Sequence, residues 1–248
     1  MEFTIISNER IAPNVWRMAL RGDTRNVARP GQFVQVQVPG FFLRRPISVC
    51  DWTSGERGEL VLVFKVVGHG TAVMGGLTAG ATLDLLTGLG NGYDMDAALA
   101  AKAPLLIGGG VGTPPIYGLC KRLALAGRRP TVILGFNTAE EIILRDEMLA
   151  LGAEVRVATA DGSEGVRGFV TDAMRPLAGQ YDFVCACGPE PMLKAVYAES
   201  GDVAGLYSFE ERMACGFGAC MGCSCETKYG SMRICRDGPV LRKAVIIW

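Results

Sequence analysis

Five of the nine cysteines fall between Cys215 and Cys235, and four of them are spaced C-x4-C-x2-C…C: Cys215, Cys220, Cys223 and, twelve residues further on, Cys235. Thiolates at this spacing can hold a [2Fe–2S] cluster. Three ligands on one loop must wrap around two irons and bring backbone N–H groups against the sulfurs. Gly216, Gly218 and Gly222 give the loop that freedom, and the fourth ligand arrives from a separate segment. The competing chemistry is a tetrahedral zinc site. Zinc takes paired knuckles, and Cys220 with Cys223 makes only one. Cys225 is expected to be a buried neighbour, and Cys50, Cys120 and Cys185, in apolar contexts, are expected in the core. An odd cysteine count clustered at one end fits metal binding better than disulfides.

A second constellation is Gly108-Gly109-Gly110-Val111-Gly112-Thr113-Pro114-Pro115. It follows the short apolar run Leu105-Leu106-Ile107 and opens a helical stretch from about Pro114 to Ala126. Glycines in this setting let a pyrophosphate approach the backbone where free N–H groups favour an anion. Thr113 is the expected N-cap, with Pro114 at the first helical position. The spacing is not G-x-G-x-x-G, and an ordinary tight strand-to-helix turn is the alternative. Cys187-Gly188-Pro189 follows the last buried run, at the carboxyl edge where open α/β sheets bind ligands. The single histidine, His69, supports neither a histidine-rich metal site nor a Ser-His-Asp arrangement, and is expected on a partly exposed loop.

These groups need a scaffold, and 248 residues suffice for more than one domain. Before residue 100 the chain reads as short strands. Phe33 to Val38 alternates apolar and polar like a half-buried strand, and Leu60 to Val67 is a more continuous β-branched run, with Pro30-Gly31, Pro39-Gly40 and Ser54-Gly55 as turns. Such spacing predicts a small antiparallel β-barrel. Strands at 131–134, 154–158 and 181–186 then alternate with helices around 140–151 and from about Thr171, predicting an α/β domain with a parallel sheet. From Ser208 the chain reads as a small cluster-organised tail, ending in a strand-like Lys243 to Trp248. The expected division is a multi-domain chain of 1–98, 99–206 and 207–248, with the linker between Gly88 and Lys102.

Lys plus Arg equals Asp plus Glu at 25 each, so the basic footprint of a nucleic-acid binder is missing. No apolar run reaches the roughly 18 residues of a membrane span, and Met1-Glu2-Phe3-Thr4 has no export-signal character. A cytoplasmic location with no membrane partner is expected. Hydrophobic residues at 49% suggest large buried interfaces with other subunits, or simply core.

Arg45-Pro46-Ile47-Ser48 resembles the R-x-x-S flavin segment of the ferredoxin–NADP reductase superfamily. The order of this segment, the glycine loop, C-G-P and C-x4-C-x2-C…C closely resembles, over nearly the whole chain, the electron-transfer subunits of B-type, NAD-linked dihydroorotate dehydrogenases. Further shared text is Leu43-Arg44-Arg45-Pro46-Ile47-Ser48, Gly68-His69-Gly70-Thr71, Asp161-Gly162-Ser163, Glu211-Arg212-Met213-Ala214-Cys215-Gly216 and Cys235-Arg236-Asp237-Gly238-Pro239-Val240. Two departures are Thr87-Gly88-Leu89-Gly90, where the family usually has G-P-L-G, and His69, where a longer polar residue is common.

The resemblance implies FAD contacted by Arg45, Pro46, Ile47 and Ser48, by Val63, Phe64 and Lys65, and by Gly70 and Thr71. The nucleotide contacts expected at Gly109, Gly110, Gly112, Thr113, Asp161, Cys187, Gly188 and Pro189 are then those of NAD, and the resemblance puts Cys187 where the nicotinamide nears the flavin. The implied cluster ligands are Cys215, Cys220, Cys223 and Cys235. It further implies an FMN-containing catalytic subunit that oxidises dihydroorotate, two of each chain forming a heterotetramer, and electrons passing from that FMN through the cluster and FAD to NAD⁺ in pyrimidine biosynthesis. No acid–base residue is assigned. NADP-dependent relatives carry a Ser-Arg pair where this chain has Ala160-Asp161, which favours NAD, although Arg156 and Arg167 lie nearby. Ser208-Phe209-Glu210-Glu211 is read as an S-x-x-E capping box opening a short helix, in preference to a carboxylate beside the flavin. The rival readings are a related reductase module serving a hydrogenase, sulfite reductase or ferredoxin-dependent oxidoreductase, and a zinc-stapled nucleotide-binding module.

Overall fold

The computed structural model describes residues 1–248. Six strands, β1 (Glu2–Ala12), β2 (Val15–Gly22), β3 (Phe33–Gln37), β4 (Arg45–Trp52), β5 (Gly58–Lys65) and β6 (Thr82–Leu89), close an antiparallel barrel in the order β1-β2-β5-β4-β3-β6. Alternation fills it: Val34 and Val36 of β3, and Leu60, Leu62 and Phe64 of β5, join Phe3, Ile5, Met18 and Leu20 inside. The β-branched run of β5 is explained by its other face. Val61 and Val63 point out of the barrel into a second core, shared with Leu106, Ile116 and Leu123. Helix α1 (His69–Gly75) follows β5, so exposed His69 begins a helix rather than lying on a loop.

After α2 (Met95–Ala100) come β7 (Pro104–Gly109), α3 (Thr113–Leu125), β8 (Thr131–Phe136), α4 (Arg145–Ala150), β9 (Glu154–Thr159), β10 (Val166–Arg167), α5 (Val170–Met174), β11 (Phe183–Cys187), α6 (Glu190–Glu199) and β12 (Ala204–Ser208). These strands pair in parallel in the order β10-β9-β8-β7-β11-β12. Helices cover both faces, with α3 and α4 in the core shared with the barrel and α5 and α6 in the core opposite. The helix expected over 140–151 is broken: a 3-10 turn at Ala139–Glu141 precedes α4, and Leu144 between them has φ 60°. The chain then forms a lobe with hairpin β13 (Ser224–Thr227) and β14 (Gly230–Arg233) and the one-turn α7 (Ile234–Asp237), and returns as β15 (Val240–Arg242), antiparallel to β12. The expected strand over 243–248 is instead a 3-10 turn at Lys243–Val245, where buried Lys243 donates to Ser200 Oγ at 2.6 Å and to the Gly201 carbonyl.

Barrel and sheet are joined by close packing. A methyl group on Gly118 of α3 would sit 2.8 Å from the Cys50 carbonyl oxygen of β4. Arg122 lies 4.0 Å over the Trp52 ring and donates to its carbonyl at 3.0 Å, while Lys121 pairs with Asp51. The connecting segment is pinned as well: Tyr93, fully buried, donates its hydroxyl to the Ala186 carbonyl at 3.1 Å. Tyr93→Phe is expected to cost about 1 kcal/mol. A lower urea midpoint at unchanged slope would show it, and an unmoved midpoint would mean the bond contributes nothing. No helix is long and apolar enough to cross a membrane.

Candidate functional site

A cleft of about 360 Å³ opens on the barrel wall that faces the sheet. Arg45, Pro46, Ile47 and Ser48 of β4, Val63, Phe64 and Lys65 of β5, and Thr71 of α1 all line it. Gly70 lies beneath Arg45: a methyl there would meet the guanidinium Nε at 2.3 Å. A side chain at Gly70 would displace the guanidinium placed to meet a diphosphate here. Arg45 is held over the Phe41 ring at 4.8 Å and donates to the Leu43 carbonyl. Apolar walls with a fork of N–H donors and a hydroxyl suit a planar ring system bearing a diphosphate tail.

A second cleft, of about 560 Å³, lies over the carboxyl ends of the parallel strands. Here β7 and β11 part to different neighbours, the topological switch point where such sheets bind ligands. Gly109, Gly110 and Pro189 line the cleft, with Val111, Gly135, Asn137, Ala160 and Met192. One glycine is there by necessity: a methyl on Gly112 would stand 2.3 Å from the Cys187 carbonyl oxygen, whereas one on Gly109 would meet only the flexible end of Met192, at 2.3 Å from its Sδ. The loops after β7 and β11 therefore touch. Gly112, Thr113, Cys187 and Gly188 form the packed base of the cleft rather than its lining. Gly112 itself caps α3, so Thr113 is the first helical residue, buried, with its hydroxyl unpartnered, and Pro114 comes second. Burial drives the Cys187 thiol well above its usual range. Asp161 follows the lining residue Ala160 and is exposed, outside the lining itself. The Ser163 hydroxyl and N–H, bonded to its carboxylate at 2.6 and 2.9 Å, hold it below the usual carboxylate range.

The clefts share three lining residues, Lys65, Val111 and Glu210. Lys65 Nζ lies 3.4 Å from Glu141, whose carboxylate also accepts from the Asn137 side chain at 2.8 Å. Burial works against ionisation of Glu141, but the Asn137 and Lys65 contacts outweigh it and lower its pKa. Glu210 corrects the capping-box reading. Ser208 ends β12 and is buried, and no helix follows; Phe209, Glu210 and Glu211 run as irregular chain along the flavin-sized cleft. Glu210 is open to the clefts yet ringed by protein, and desolvation raises its pKa. A raised acid favours folding when protonated, so its charge is carried at a cost above the carboxylate range, and the cost disappears as pH falls through that range. Glu210→Gln is expected to raise the melting temperature at pH 8, the gain shrinking as the pH is lowered through the carboxylate range. A variant less stable than the parent at pH 8 would contradict this.

The four cysteines of the motif gather in the C-terminal lobe. Cys223 and Cys235 are buried, Cys215 is half-buried and Cys220 exposed. Backbone N–H groups already point at the sulfurs: Cys215 Sγ accepts from Ala219 at 3.3 Å and Cys220 at 3.5 Å, and Cys223 Sγ from Cys235 at 3.4 Å. Burial pushes the Cys215 thiol up, but the N–H groups of Cys220, Phe217 and Ala219 and the Cys220 side chain outweigh it and bring it to about 6. Burial and the neighbouring Cys223 push Cys235 up to about 12. Gly216 and Gly218 have φ of 78° and 89°, and methyl groups on them would strike Gln35 and Arg236. This donor set fits a [2Fe–2S] cluster, whose sulfurs need such N–H bonds. No three cysteine, histidine or carboxylate groups converge as ligands of a single metal ion. Cys225, half-buried in β13, pairs with Met232 of the hairpin.

A flavin-sized cleft on a barrel, a nucleotide cleft on a parallel sheet and a four-cysteine lobe packed against both barrel and sheet define a flavin- and NAD-linked oxidoreductase with an iron–sulfur relay. Residues 210–246 match the family profile of the iron–sulfur cluster binding domain of dihydroorotate dehydrogenase B, and residues 106–198 match that of the oxidoreductase NAD-binding domain. The chain is 40% identical to the electron transfer subunit of dihydroorotate dehydrogenase B (NAD(+)) of Geobacillus sp. strain WCH70, covering 99% of this chain and 98% of that one. It is also 40% identical to the Listeria monocytogenes serotype 4a subunit, over 97% and 96%. Among solved structures, a chain of an NADH-dependent reduced ferredoxin–NADP oxidoreductase superposes with a TM-score of 0.88 at 32% identity, over 98% of this chain and 89% of that one. A Neisseria gonorrhoeae ferredoxin NADP⁺ reductase shares the fold, with a TM-score of 0.66 at 18% identity over 82% and 91%. The chain belongs to the family of dihydroorotate dehydrogenase B electron transfer subunits.

Proposed function

We propose that this chain passes electrons between NAD and an FMN-containing catalytic subunit that oxidises dihydroorotate, two copies of each forming a cytoplasmic heterotetramer. The observation that carries the reading is the sharing of Lys65, Val111 and Glu210 by the two clefts, with Phe209, Glu211 and Met213 lining the barrel cleft on the segment that leads into the cysteine loop. A nicotinamide carries two electrons as hydride, an iron–sulfur cluster carries one, and a flavin exchanges either.

The residues then divide the work. Arg45 neutralises the FAD diphosphate above Gly70 and Thr71, and Ser48 offers its hydroxyl to the ring beside Pro46, Ile47, Val63 and Phe64. Gly109, Gly110 and Pro189 let the NAD pyrophosphate approach the backbone, over the base formed by Gly112, Thr113, Cys187 and Gly188. Asp161, held ionised by Ser163, puts a negative charge next to the lining residue Ala160, which disfavours a 2′-phosphate and selects NAD over NADP. Cys215, Cys220, Cys223 and Cys235 hold the cluster. The working units are 1–98 for FAD, 99–206 for NAD and 207–248 for the cluster. The last carries the exposed apolar side chains Phe217, Met221 and Tyr229 as well as exposed Cys220, which supports a partner surface on this lobe.

Visible absorption with iron and flavin analysis, before and after NADH, tests the chain. About two irons and one FAD, bleached by NADH and far less by NADPH, are expected; zinc without flavin would overturn the reading. The likeness to the NADH-dependent ferredoxin–NADP oxidoreductase chain supports a second reading, a reductase module for another flavoenzyme. Affinity purification of the chain from its own cells separates the two, since the first requires NAD⁺ reduction by dihydroorotate in the recovered complex.

A further inference from the structure

β3 has two faces. Val34 and Val36 fill the barrel, while Phe33 and Gln35 point outward. An outward glutamine ordinarily meets water, yet Gln35 is fully buried and neither its Nε2 nor its Oε1 has a hydrogen-bond partner. What covers it is the cysteine loop. A methyl group on Gly216 would lie 2.5 Å from Gln35 Nε2 and 2.6 Å from its Cγ, and Gly216 follows Cys215 directly. The neighbouring Phe33 belongs to the same core as Cys223, Ile234 and Cys235. On its strand partner side, Gln35 is paired with Pro46, which lines the flavin cleft. This amide therefore stands between the flavin segment and the loop of the first cluster ligand. A buried amide with both ends unpartnered is costly, and native structures seldom keep one without a partner.

We propose that the Gln35 side-chain amide donates a hydrogen bond to the sulfur shell of the [2Fe–2S] cluster on the Cys215 side, and so sets the potential at which the cluster accepts an electron. The inference rests on the four-cysteine site. The reduced cluster carries one more negative charge than the oxidised one, so an N–H donor stabilises it more and raises the potential. Gly216 fits the same role, since any side chain there would push the amide off the loop.

The test is a redox titration of the full chain, followed by electron paramagnetic resonance for the cluster and by absorbance for the flavin, in the parent, Gln35→Met and Gln35→Leu. Met keeps the length and unbranched stem of glutamine, so it tolerates a site that the branched Leu strains. With about two irons per chain in each protein, the reduction equilibrium of the cluster is expected to fall about tenfold in both variants, a shift of about 59 mV for one electron, with the flavin unmoved. A loaded Gln35→Met whose cluster potential equals the parent's overturns the inference. So does a shift confined to the flavin, or a variant that folds but takes up no iron while the parent does, because a tuning bond is not needed for assembly. A parent chain without iron would overturn the four-cysteine site itself, and this inference with it.

Discussion

Cys223→Ser is expected to abolish the iron–sulfur cluster while leaving NADH-driven bleaching of the flavin intact. Cys223 is buried in the core that joins lobe and sheet, and its sulfur accepts the Cys235 N–H, so a hydroxyl there has neither the charge nor the reach of a thiolate. Neither cleft draws a lining residue from the cysteine loop itself. Electron delivery to or from the catalytic partner should fall by more than the roughly 10–100-fold that follows loss of an outer-sphere partner. Iron content, the paramagnetic signal of the reduced cluster and NADH-to-flavin stopped-flow rates measure the three quantities separately. Cys225→Ser is the control: its thiol sits in the hairpin, burial raises its pKa, and its loss should leave the iron in place. Iron retained by the Cys223 variant and lost from the Cys225 variant would exchange their roles.

Arg45→Ala is expected to release the flavin. The guanidinium is a cation of the barrel cleft, fixed between Phe41, the Leu43 carbonyl and Gly70. Charge-assisted hydrogen bonds contribute about 1.5–3 kcal/mol each, and about 1.4 kcal/mol is tenfold in affinity. Loss of one such bond should thus weaken FAD binding by roughly 10–100-fold. Arg45→Lys keeps the charge without the planar fork and should fall between. The flavin-to-protein ratio after gel filtration, with FAD titrated back by fluorescence quenching, reads both. Full FAD retention in Arg45→Ala would remove the residue from the site.

Groups whose chemistry is tied to fixed spacing were legible in the sequence. The cysteine pattern, the glycine loop and the R-P-I-S segment each dictate their own local geometry, and the strands that carry them show the right periods. What was not legible depends on residues distant in sequence. The alternation in β3 offers Gln35 to solvent, and only a loop some 180 residues later buries it. Ser208 to Glu211 has the letters of a helix start, but Ser208 is committed to β12, paired with Val240 of β15. The following residues therefore run on as irregular chain along the barrel cleft, which puts Glu210 where the capping pattern does not. The break at Leu144 has no glycine or proline to announce it; Ile143 and Leu144 are both buried, and packing overrides helix propensity there. At the C-terminus a β-branched run gives way to a turn because Lys243 bonds inward and Trp248 stacks edge-on against Tyr197 and Tyr207.

Pairing of Ser208 with Val240 makes everything between them the loop of one antiparallel hairpin at the sheet's edge. Closure entropy grows only with the logarithm of loop length, and an edge strand has no outer neighbour whose register an enlarged loop would disturb. The cysteine lobe is therefore an insertion, topologically detachable from the reductase beneath it. A gene could gain, lose or exchange such a segment without changing the strand order of the barrel or the sheet, provided the surface it covers, Phe33 and Gln35 among it, changed with it, so the wiring to a partner can evolve while the nucleotide-reducing half keeps its topology.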